Sequence, residues 1–251
     1  MKKILSLNGT KAGDIPRVVA VIYGRQAITL AKEAKSRGAD ILEIRIDQLP
    51  SINKEKVVQT VKEIRAATNL PIISTIRSKT ERGTFDNMKF RFSHLDRFEL
   101  FKAVMPFTDF IDIELSAGRI LRRVIDLAHK DGKAVIVSYH NFKETPSNSV
   151  LSRIVDKAKR GKADIIKIAA FAKEEDDVGR LMAFTLTVKD LQVVTISLGG
   201  KGSISRIIAP IFGSCLTYGY VHQSLASGQL QMEFLIEELR RYCPKYKDCR
   251  K

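Results

Sequence analysis

The chain has 251 residues, 44% of them hydrophobic, and is therefore long enough to bury a sizeable core. Its apolar stretches fall far short of the about 18 residues that a bilayer span requires, which argues against a transmembrane protein. Lysine and arginine outnumber the acidic residues by 43 to 28, for a net charge of +15. Because these cations alternate with acids along the predicted helices, they indicate solvated helix faces, and we expect no nucleic-acid partner.

The N-terminus is basic but lacks the apolar segment of a secretion signal, so we expect a cytoplasmic protein. The cysteines Cys215, Cys243 and Cys249 have no CxxC spacing, which predicts free thiols rather than a zinc site or a disulfide framework. A bridge or a metal between Cys243 and Cys249 is the weaker alternative to a frayed tail.

Short β-branched runs alternate with amphipathic helical patterns from residue 17 to the C-terminus, and no linker separates them. Such alternation is typical of a parallel α/β fold. Eight repeats favour a closed (β/α)8 TIM barrel over an open sheet, with residues 1–251 as a single catalytic domain. The predicted strands are 18–23, 41–47, 72–77, 110–115, 134–140, 164–170, 193–198 and 216–221.

The predicted helices lie at 26–36, 54–67, 92–105, 118–129, 148–160, 176–189, 203–211 and 228–242. Glycines close to three of the helix ends, Gly38, Gly132 and Gly161, are typical of C-caps that turn the chain into the next strand. The Asn-Gly pair at 8–9 predicts an N-terminal hairpin before the first barrel strand. The long polar stretch 78–89 is a candidate active-site loop, or lid, after the third strand.

The second strand carries three charged residues on one face. In a barrel of this class the active site lies at the carboxyl ends of the strands, which is where Glu43, Arg45 and Asp47 fall. Charges inside a barrel are costly unless they neutralise each other or bind a ligand. The strand therefore predicts either a ligand site or a structural ion-pair layer, in which Asp47 holds Arg45 in place.

After its first residue, Asp164, strand 164–170 contains one polar residue, Lys167, on the same face as Ile165 and Ala169. Lysine is rarely buried, and desolvation favours its neutral amine, which attacks ketones. The alternative is a structural lysine paired with a carboxylate across the barrel. The preceding strand ends at His140, one strand away, where a general base would stand.

Two further cations follow strands. Arg77 closes the third strand, and Arg206 lies beyond a glycine-rich loop at 199–202 after the seventh strand. Both residues are candidates for gripping a carboxylate. The glycine-rich loop also resembles a phosphate cradle, although the same glycines serve equally well to let the chain turn.

Five motifs in order make the chain similar to the type I 3-dehydroquinate dehydratases over nearly its whole length. They are Glu-x-Arg-x-Asp at 43–47, Arg-x-x-x-Glu at 77–81, the histidine strand ending at 138–142, the lysine strand, and Ser-Ile-Ser-Arg at 203–206. Phe-Gly-Ser at 212–214 and Gly-Gln at 228–229 resemble the family's closing elements.

The resemblance implies dehydration of 3-dehydroquinate to 3-dehydroshikimate in the shikimate pathway, without metal or cofactor, by a homodimer. It implies an imine between Lys167 and the substrate ketone, with His140 as acid and base and Glu81 orienting the imidazole. The substrate-binding residues that it implies are Glu43, Arg45, Arg77, Arg206 and Gln229.

Two positions depart from the family pattern. Leu225 stands where the family's closing motif has a serine, and Ser224 or Ser227 can supply that hydroxyl only if the loop shifts. Val21 stands where the family has a serine on the first strand. These changes affect hydroxyl contacts at the periphery of the site. The competing interpretations are a class I aldolase or transaldolase with another acid-base partner, and a basic nucleic-acid-binding protein on a barrel scaffold.

Overall fold

The computed structural model describes residues 5–7, 10–12, 15–81 and 92–248. Its strands are β1 Leu5–Leu7, β2 Thr10–Ala12, β3 Arg17–Ile22, β4 Ile41–Arg45, β5 Ile72–Thr75, β6 Phe110–Glu114, β7 Ala134–Asn141, β8 Ile165–Phe171, β9 Gln192–Leu198, β10 Leu216–Tyr220 and β11 Leu230–Gln231. Its helices are α1 Ala27–Ser36, α2 Lys54–Thr68, α3 His94–Val104, α4 Arg119–Lys130, α5 Asn148–Arg160, α6 Glu175–Thr187, α7 Ser205–Ile211, α8 Met232–Tyr242 and α9 Pro244–Asp248.

Strands β3 to β10 form a parallel sheet in which each strand from β3 to β8 pairs with the next along the chain, and β10 pairs with β3. The two ends meet where Val193 of β9 bridges Ser214, and the Cys215 amide donates to the Val193 carbonyl at 2.9 Å. The short β11 adds to β10. The predicted (β/α)8 barrel is therefore confirmed.

The strands are buried on both faces, as parallel barrel strands must be. Outward residues such as Leu42 and Ile111 pack under the helices, while inward residues such as Ile41 and Phe110 fill the barrel interior. Above this apolar floor, the inward positions near the carboxyl ends of the strands become polar. The register therefore concentrates buried charge at one end of the barrel.

Local signals account for several helix ends. Helix α2 begins after Asn53, whose side chain accepts from the Lys56 amide at 3.0 Å, and it ends at Asn69 with φ 55°. Gly38 and Gly132 have positive φ, as their predicted capping role requires. Gly161 is the C-cap residue of α5, as predicted; its conformation is right-handed, and Lys162 after it takes the left-handed conformation at φ 64°.

Some predicted boundaries were too long. The second strand ends at Arg45 and continues as a 3₁₀ turn, Ile46–Gln48, and the third ends at Thr75, so Asp47 and Arg77 follow their strands. The predicted helix over 228–242 is a loop and the short β11 up to residue 231, because its first residues pair with β10.

The predicted N-terminal hairpin is present as the antiparallel pair β1 and β2, whereas its Asn-Gly turn at 8–9 lies outside the described residues. The candidate lid 78–89 is described only as far as residue 81, where Lys79–Glu81 form a 3₁₀ turn. Cys215 and Cys243 are buried and take part in no disulfide among the described residues, and Cys249 lies outside those residues. Among the described helices, none combines the length and the apolarity needed to cross a bilayer.

Candidate active site

A cavity of about 280 Å³ opens at the carboxyl ends of the barrel strands. The structure brings every sequence-predicted site residue to its wall. These residues are Glu43, Arg45, Arg77, Glu81, His140, Lys167, Arg206 and Gln229. The cavity is of the size that holds a small metabolite, and it combines an apolar wall with a few convergent polar groups.

Lys167 points inward from the middle of β8 and is 5% exposed. Its Nζ donates to Asp112 Oδ2 at 3.1 Å and to Glu43 Oε1 at 3.4 Å, and it lies 3.9 Å from the centre of the Tyr218 ring. The pairing with carboxylates matches the structural alternative, but the amino group also borders the cavity. Pairing and access to a ligand therefore coexist at this lysine.

His140 stands near the end of β7, two residues beyond Ser138, which is opposite Lys167 in the sheet. Its Nδ1 lies 2.9 Å from Glu81 Oε2, and Glu81 also accepts from the Ser116 hydroxyl. Because a carboxylate accepts, Nδ1 carries the proton, and Nε2 keeps a free lone pair. This is the tautomer that a general base needs.

Burial and the positive charge of Arg77 lower the pKa of His140, against the opposing effect of Glu81. Burial raises the pKa of Glu81, but the hydrogen bond and charge of His140, the Ser116 hydroxyl and Arg77 together outweigh it and leave that pKa below the ordinary value. Glu81 is therefore the charged partner and His140 the neutral one near pH 7, so the dyad is ready to accept a proton.

The two charged residues of β4, Glu43 and Arg45, have different surroundings. Arg45 donates through Nε and Nη2 to both oxygens of the buried Asp47, at 2.9 and 2.8 Å, which raises the pKa of Arg45 despite its burial. Asp47 thus holds Arg45, as one of the two interpretations of this strand predicts. Glu43 instead faces the cavity, where it accepts from the Thr75 hydroxyl at 2.8 Å.

Arg77 crosses the barrel mouth and donates to Ser138 Oγ at 2.6 Å, with Asp112 at 2.9 Å and Glu114 at 3.5 Å. Burial disfavours its charge, but Asp112 and Glu114 raise the pKa of Arg77 well above the usual range. In return, Arg77 and Lys167 hold the pKa of Asp112 well below its usual range, although burial alone would raise it.

Arg206 has a different environment in the first turn of α7. Its Nε donates to the Gly228 carbonyl at 2.8 Å and Nη1 to the Tyr218 carbonyl at 3.4 Å, whereas the buried Nη2 has no partner. Burial lowers the pKa of Arg206 to about 10. No described carboxylate pairs with this guanidinium, whereas Arg45, Arg77 and Lys167 each have one. Of these cavity cations, Arg206 is therefore the best suited to bind an anionic ligand.

Comparison with known proteins matches residues 19–242 to the type I 3-dehydroquinase family. The chain belongs to the type I 3-dehydroquinase family. A 3-dehydroquinate dehydratase of Methanocella arvoryzae is 39% identical over 225 residues, which cover 90% of this chain and 96% of that relative. A dehydratase is a hydro-lyase, so the chain is a lyase, and the family membership decides against the aldolase alternative.

Solved structures agree. The 3-dehydroquinate dehydratase of Geobacillus kaustophilus superposes with a TM-score of 0.89 at 27% identity, covering 96% of this chain and 98% of that one. The type I enzyme of Clostridium difficile gives 0.89 at 29% identity, covering 99% of this chain and 100% of the other. The resemblance stated from the motifs is thus confirmed over the full barrel.

In this type I 3-dehydroquinase, several buried polar residues around the site were not predicted from the sequence. Asp112 and Glu114 alternate along β6 as Glu43 and Arg45 do along β4, and that alternation was the available signal. Arg97 of α3 pairs with Glu114, and Glu114 also accepts from the Ser78 amide at 2.5 Å. Tyr218, beside the lysine, carried no comparable signal.

The two departures from the family pattern meet on one side of the cavity. Val21 and Leu225 both line it, and Leu225 packs against the apolar cluster that contains Val21. Ser224 Oγ donates to the Ala226 carbonyl at 2.7 Å within its own loop, whereas Ser227 borders the cavity. This wall of the type I site is therefore apolar where the family pattern has hydroxyls.

The glycine-rich loop after β9 packs against the segment that carries Gln229. A Cβ on Gly228 would meet the Gly199 carbonyl oxygen at 2.2 Å, and both glycines have positive φ. Gln229 Oε1 accepts from the Leu225 amide at 2.9 Å, which leaves its amide NH₂ for other partners. The glycines at these two positions let the loops pack closely beside Arg206, in agreement with a turning role.

Proposed function

We propose that this enzyme dehydrates 3-dehydroquinate to 3-dehydroshikimate, a step of the shikimate pathway, through an imine on Lys167. The carrying observation is that the Lys167 amine and the His140–Glu81 dyad border one cavity. The Clostridium difficile relative is described with covalent modified comenic acid, and a covalent adduct is what a nucleophile in such a cavity would form.

The imine creates an electron sink. The Lys167 ammonium and the substrate ketone give a protonated imine and water, with no net change in charge. The cationic imine withdraws electrons from the neighbouring carbon and makes its C–H bond acidic. Loss of that proton gives an enamine, whose electrons then expel the hydroxyl group one carbon further away, and hydrolysis of the imine releases the product.

His140 carries the proton in both directions. Its Nε2 accepts the proton from carbon, and the resulting imidazolium returns it to the departing hydroxyl, which leaves as water. Glu81, 2.9 Å from Nδ1, keeps the ring in the required tautomer and stabilises the imidazolium. No other described histidine lines the cavity.

Charge balance assigns the substrate-binding roles. Arg77 is already paired with Asp112 and Arg45 with Asp47, so both are suited to binding hydroxyl groups together with Glu43. Arg206 lacks a carboxylate among the described residues and is suited to the substrate carboxylate, assisted by the Gln229 amide. A positive field over the molecule would also favour the approach of this small anion.

The imine is tested by adding 3-dehydroquinate with borohydride and searching by mass spectrometry for a reduced adduct on Lys167. A folded enzyme that turns over without forming this adduct would refute the proposal. Lys167→Arg, which keeps the charge, is the matched control and should form no adduct. His140→Ala should still form the adduct but lose turnover, and unchanged turnover would remove His140 from the mechanism.

We also propose that the barrel acts as one catalytic domain in the cytoplasm and, from the family resemblance, that it forms a homodimer. Light scattering on the eluting peak tests the dimer, which should have twice the chain mass of 28.2 kDa. A mass equal to one chain at assay concentrations would contradict it.

A further inference from the structure

Asp112 is the most deeply buried acid in contact with the proposed nucleophile, and the mechanism above gives it no part. It is 1% exposed in the middle of β6, and it does not line the cavity. Oδ2 accepts from Lys167 Nζ at 3.1 Å, while Oδ1 accepts from Ser138 Oγ at 2.7 Å and lies 2.9 Å from Arg77 Nη2. Donors on β7 and β8 and in the segment after β5 therefore fix this carboxylate.

We propose that Asp112 is a positioning residue that fixes the Lys167 nitrogen and keeps it positively charged, first as ammonium and then as protonated imine. This inference rests on the proposed imine mechanism. The nitrogen is positive before and after imine formation, and it is neutral only in the short-lived amine that attacks the ketone. A fixed anion beside it stabilises both charged forms and disfavours the neutral amine.

Asp112 therefore changes the rates of two steps in opposite directions. Asp112 slows the first step at low pH, because it holds the proton on the amine. It speeds the later step, because the imine must be protonated to accept electrons from the neighbouring carbon. A residue that served only packing would not separate the two steps in this way.

Glu43 is less suited to this role, although its Oε1 lies 3.4 Å from the same nitrogen. Glu43 borders the cavity and also accepts from the Thr75 hydroxyl, so its carboxylate is placed to contact substrate directly. Asp112 does not line the cavity, and its carboxylate is held by Lys167, Ser138 and Arg77. The two carboxylates thus divide between binding substrate and holding the nucleophile.

The pH dependence of Lys167 involves all the ionisable groups packed around it. Asp112 of β6 and Glu43 of β4 favour its positive charge. Arg77 after β5 and His140 of β7 act on the same network, and the Tyr218 ring of β10 lies below the nitrogen. Removing Asp112 changes one member of this set and leaves the others in place.

The test is Asp112→Asn, which removes the charge but keeps the shape. Adduct formation is measured at saturating 3-dehydroquinate with cyanoborohydride across the acidic pH range, beside steady-state turnover. The acid limb, which is the part of the pH profile where adduct formation declines as the pH falls, should move about one pH unit or more to lower pH. Turnover should fall on the order of a hundredfold. Asp126→Asn on the exposed face of α4 is the matched control and should change neither.

An acid limb that stays in place, or moves to higher pH, overturns the role of Asp112 even if turnover falls. If wild-type enzyme forms no adduct, the imine mechanism itself fails, and this inference fails with it. Circular dichroism checks folding. If Asp112→Asn does not fold, Asp112→Glu decides: it should keep the wild-type acid limb but lose at least about tenfold in turnover, because its oxygen is displaced. Wild-type turnover in that variant, or a displaced limb, contradicts the proposal.

Discussion

Replacing Arg206 by methionine should weaken substrate use while leaving the fold as stable as before, or more stable. The unpaired guanidinium is buried, and its pKa of about 10, against 12.5 in the unfolded chain, corresponds to a folding cost of about 3 kcal/mol. Because the folded pKa is the lower one, this cost is complete below about pH 10 and disappears only as the pH rises from there towards 12.5.

Arg206→Met removes this cost and also removes two hydrogen bonds, to the Gly228 and Tyr218 carbonyls. The loss amounts to about 1–2 kcal/mol, because the second bond is long. The balance of about 1–2 kcal/mol predicts a Tm about 2–8 °C above that of wild type. An exposed arginine, Arg122 paired with Asp126 on α4, supplies the control variant Arg122→Met.

The catalytic effect should be large because Arg206 would face the substrate carboxylate with a charged, forked donor. Two charge-assisted hydrogen bonds contribute about 3–4 kcal/mol, or on the order of a hundred- to a thousandfold in kcat/KM. The conjugated enone product permits a direct absorbance assay. The kcat/KM of Arg206→Lys should lie between those of wild type and Arg206→Met, since lysine keeps the charge but lacks the forked guanidinium. A kcat/KM within about fivefold of wild type, or a Tm more than about 5 °C lower, would refute this reasoning.

Three further substitutions test the surroundings of the site. Glu81→Gln should move the acid limb of kcat to lower pH and reduce kcat at least about tenfold, since it removes the charge that raises the imidazole pKa. Gly228→Ala should raise KM and cost about 1–3 kcal/mol in denaturant unfolding, because its Cβ would meet the Gly199 oxygen. Arg97→Met should cost about 3–5 kcal/mol in the same measurement, since it leaves the fully buried Glu114 short of its closest cation.

Each of these outcomes has a clear opposite. An unchanged pH profile in Glu81→Gln would separate the carboxylate from the base. Wild-type KM in Gly228→Ala would show that the loop absorbs the methyl group without moving the binding residues. If Arg97→Met is as stable as the control Arg122→Met, the remaining partners of Glu114 are sufficient to stabilise its carboxylate.

The charged residues of β4 and the lysine of β8 were predictable because charge alternates with apolar residues along β4 and interrupts an apolar run in β8. Period two fixes which side chains point inward, and parallel strands of a barrel direct their carboxyl ends to one face. The identical argument applies to Asp112 and Glu114 on β6. Their partners, however, belong to other strands, and no single strand contains that information.

Lys167 illustrates the limit most clearly. Its own strand is apolar on either side, which predicted a desolvated amine nucleophile, with a structural lysine paired with a carboxylate across the barrel as the alternative. The register of β4, β6 and β8 instead brings two carboxylates to within 3.4 Å of its nitrogen, from positions 55 and 124 residues away along the chain. The resting state of the nucleophile therefore depends on strand pairing.

Patterns between neighbouring residues were sufficient for the barrel, for the inward faces of its strands and, through five ordered motifs, for the family. These features depend on local periodicity and on chain order, both of which are legible in the sequence. The pairing of Asp112 with Lys167, the unpartnered guanidinium of Arg206 and its contact with Gly228 depend on distances across the closed sheet. Barrel closure sets those distances, because it brings together inward side chains that the chain itself keeps far apart.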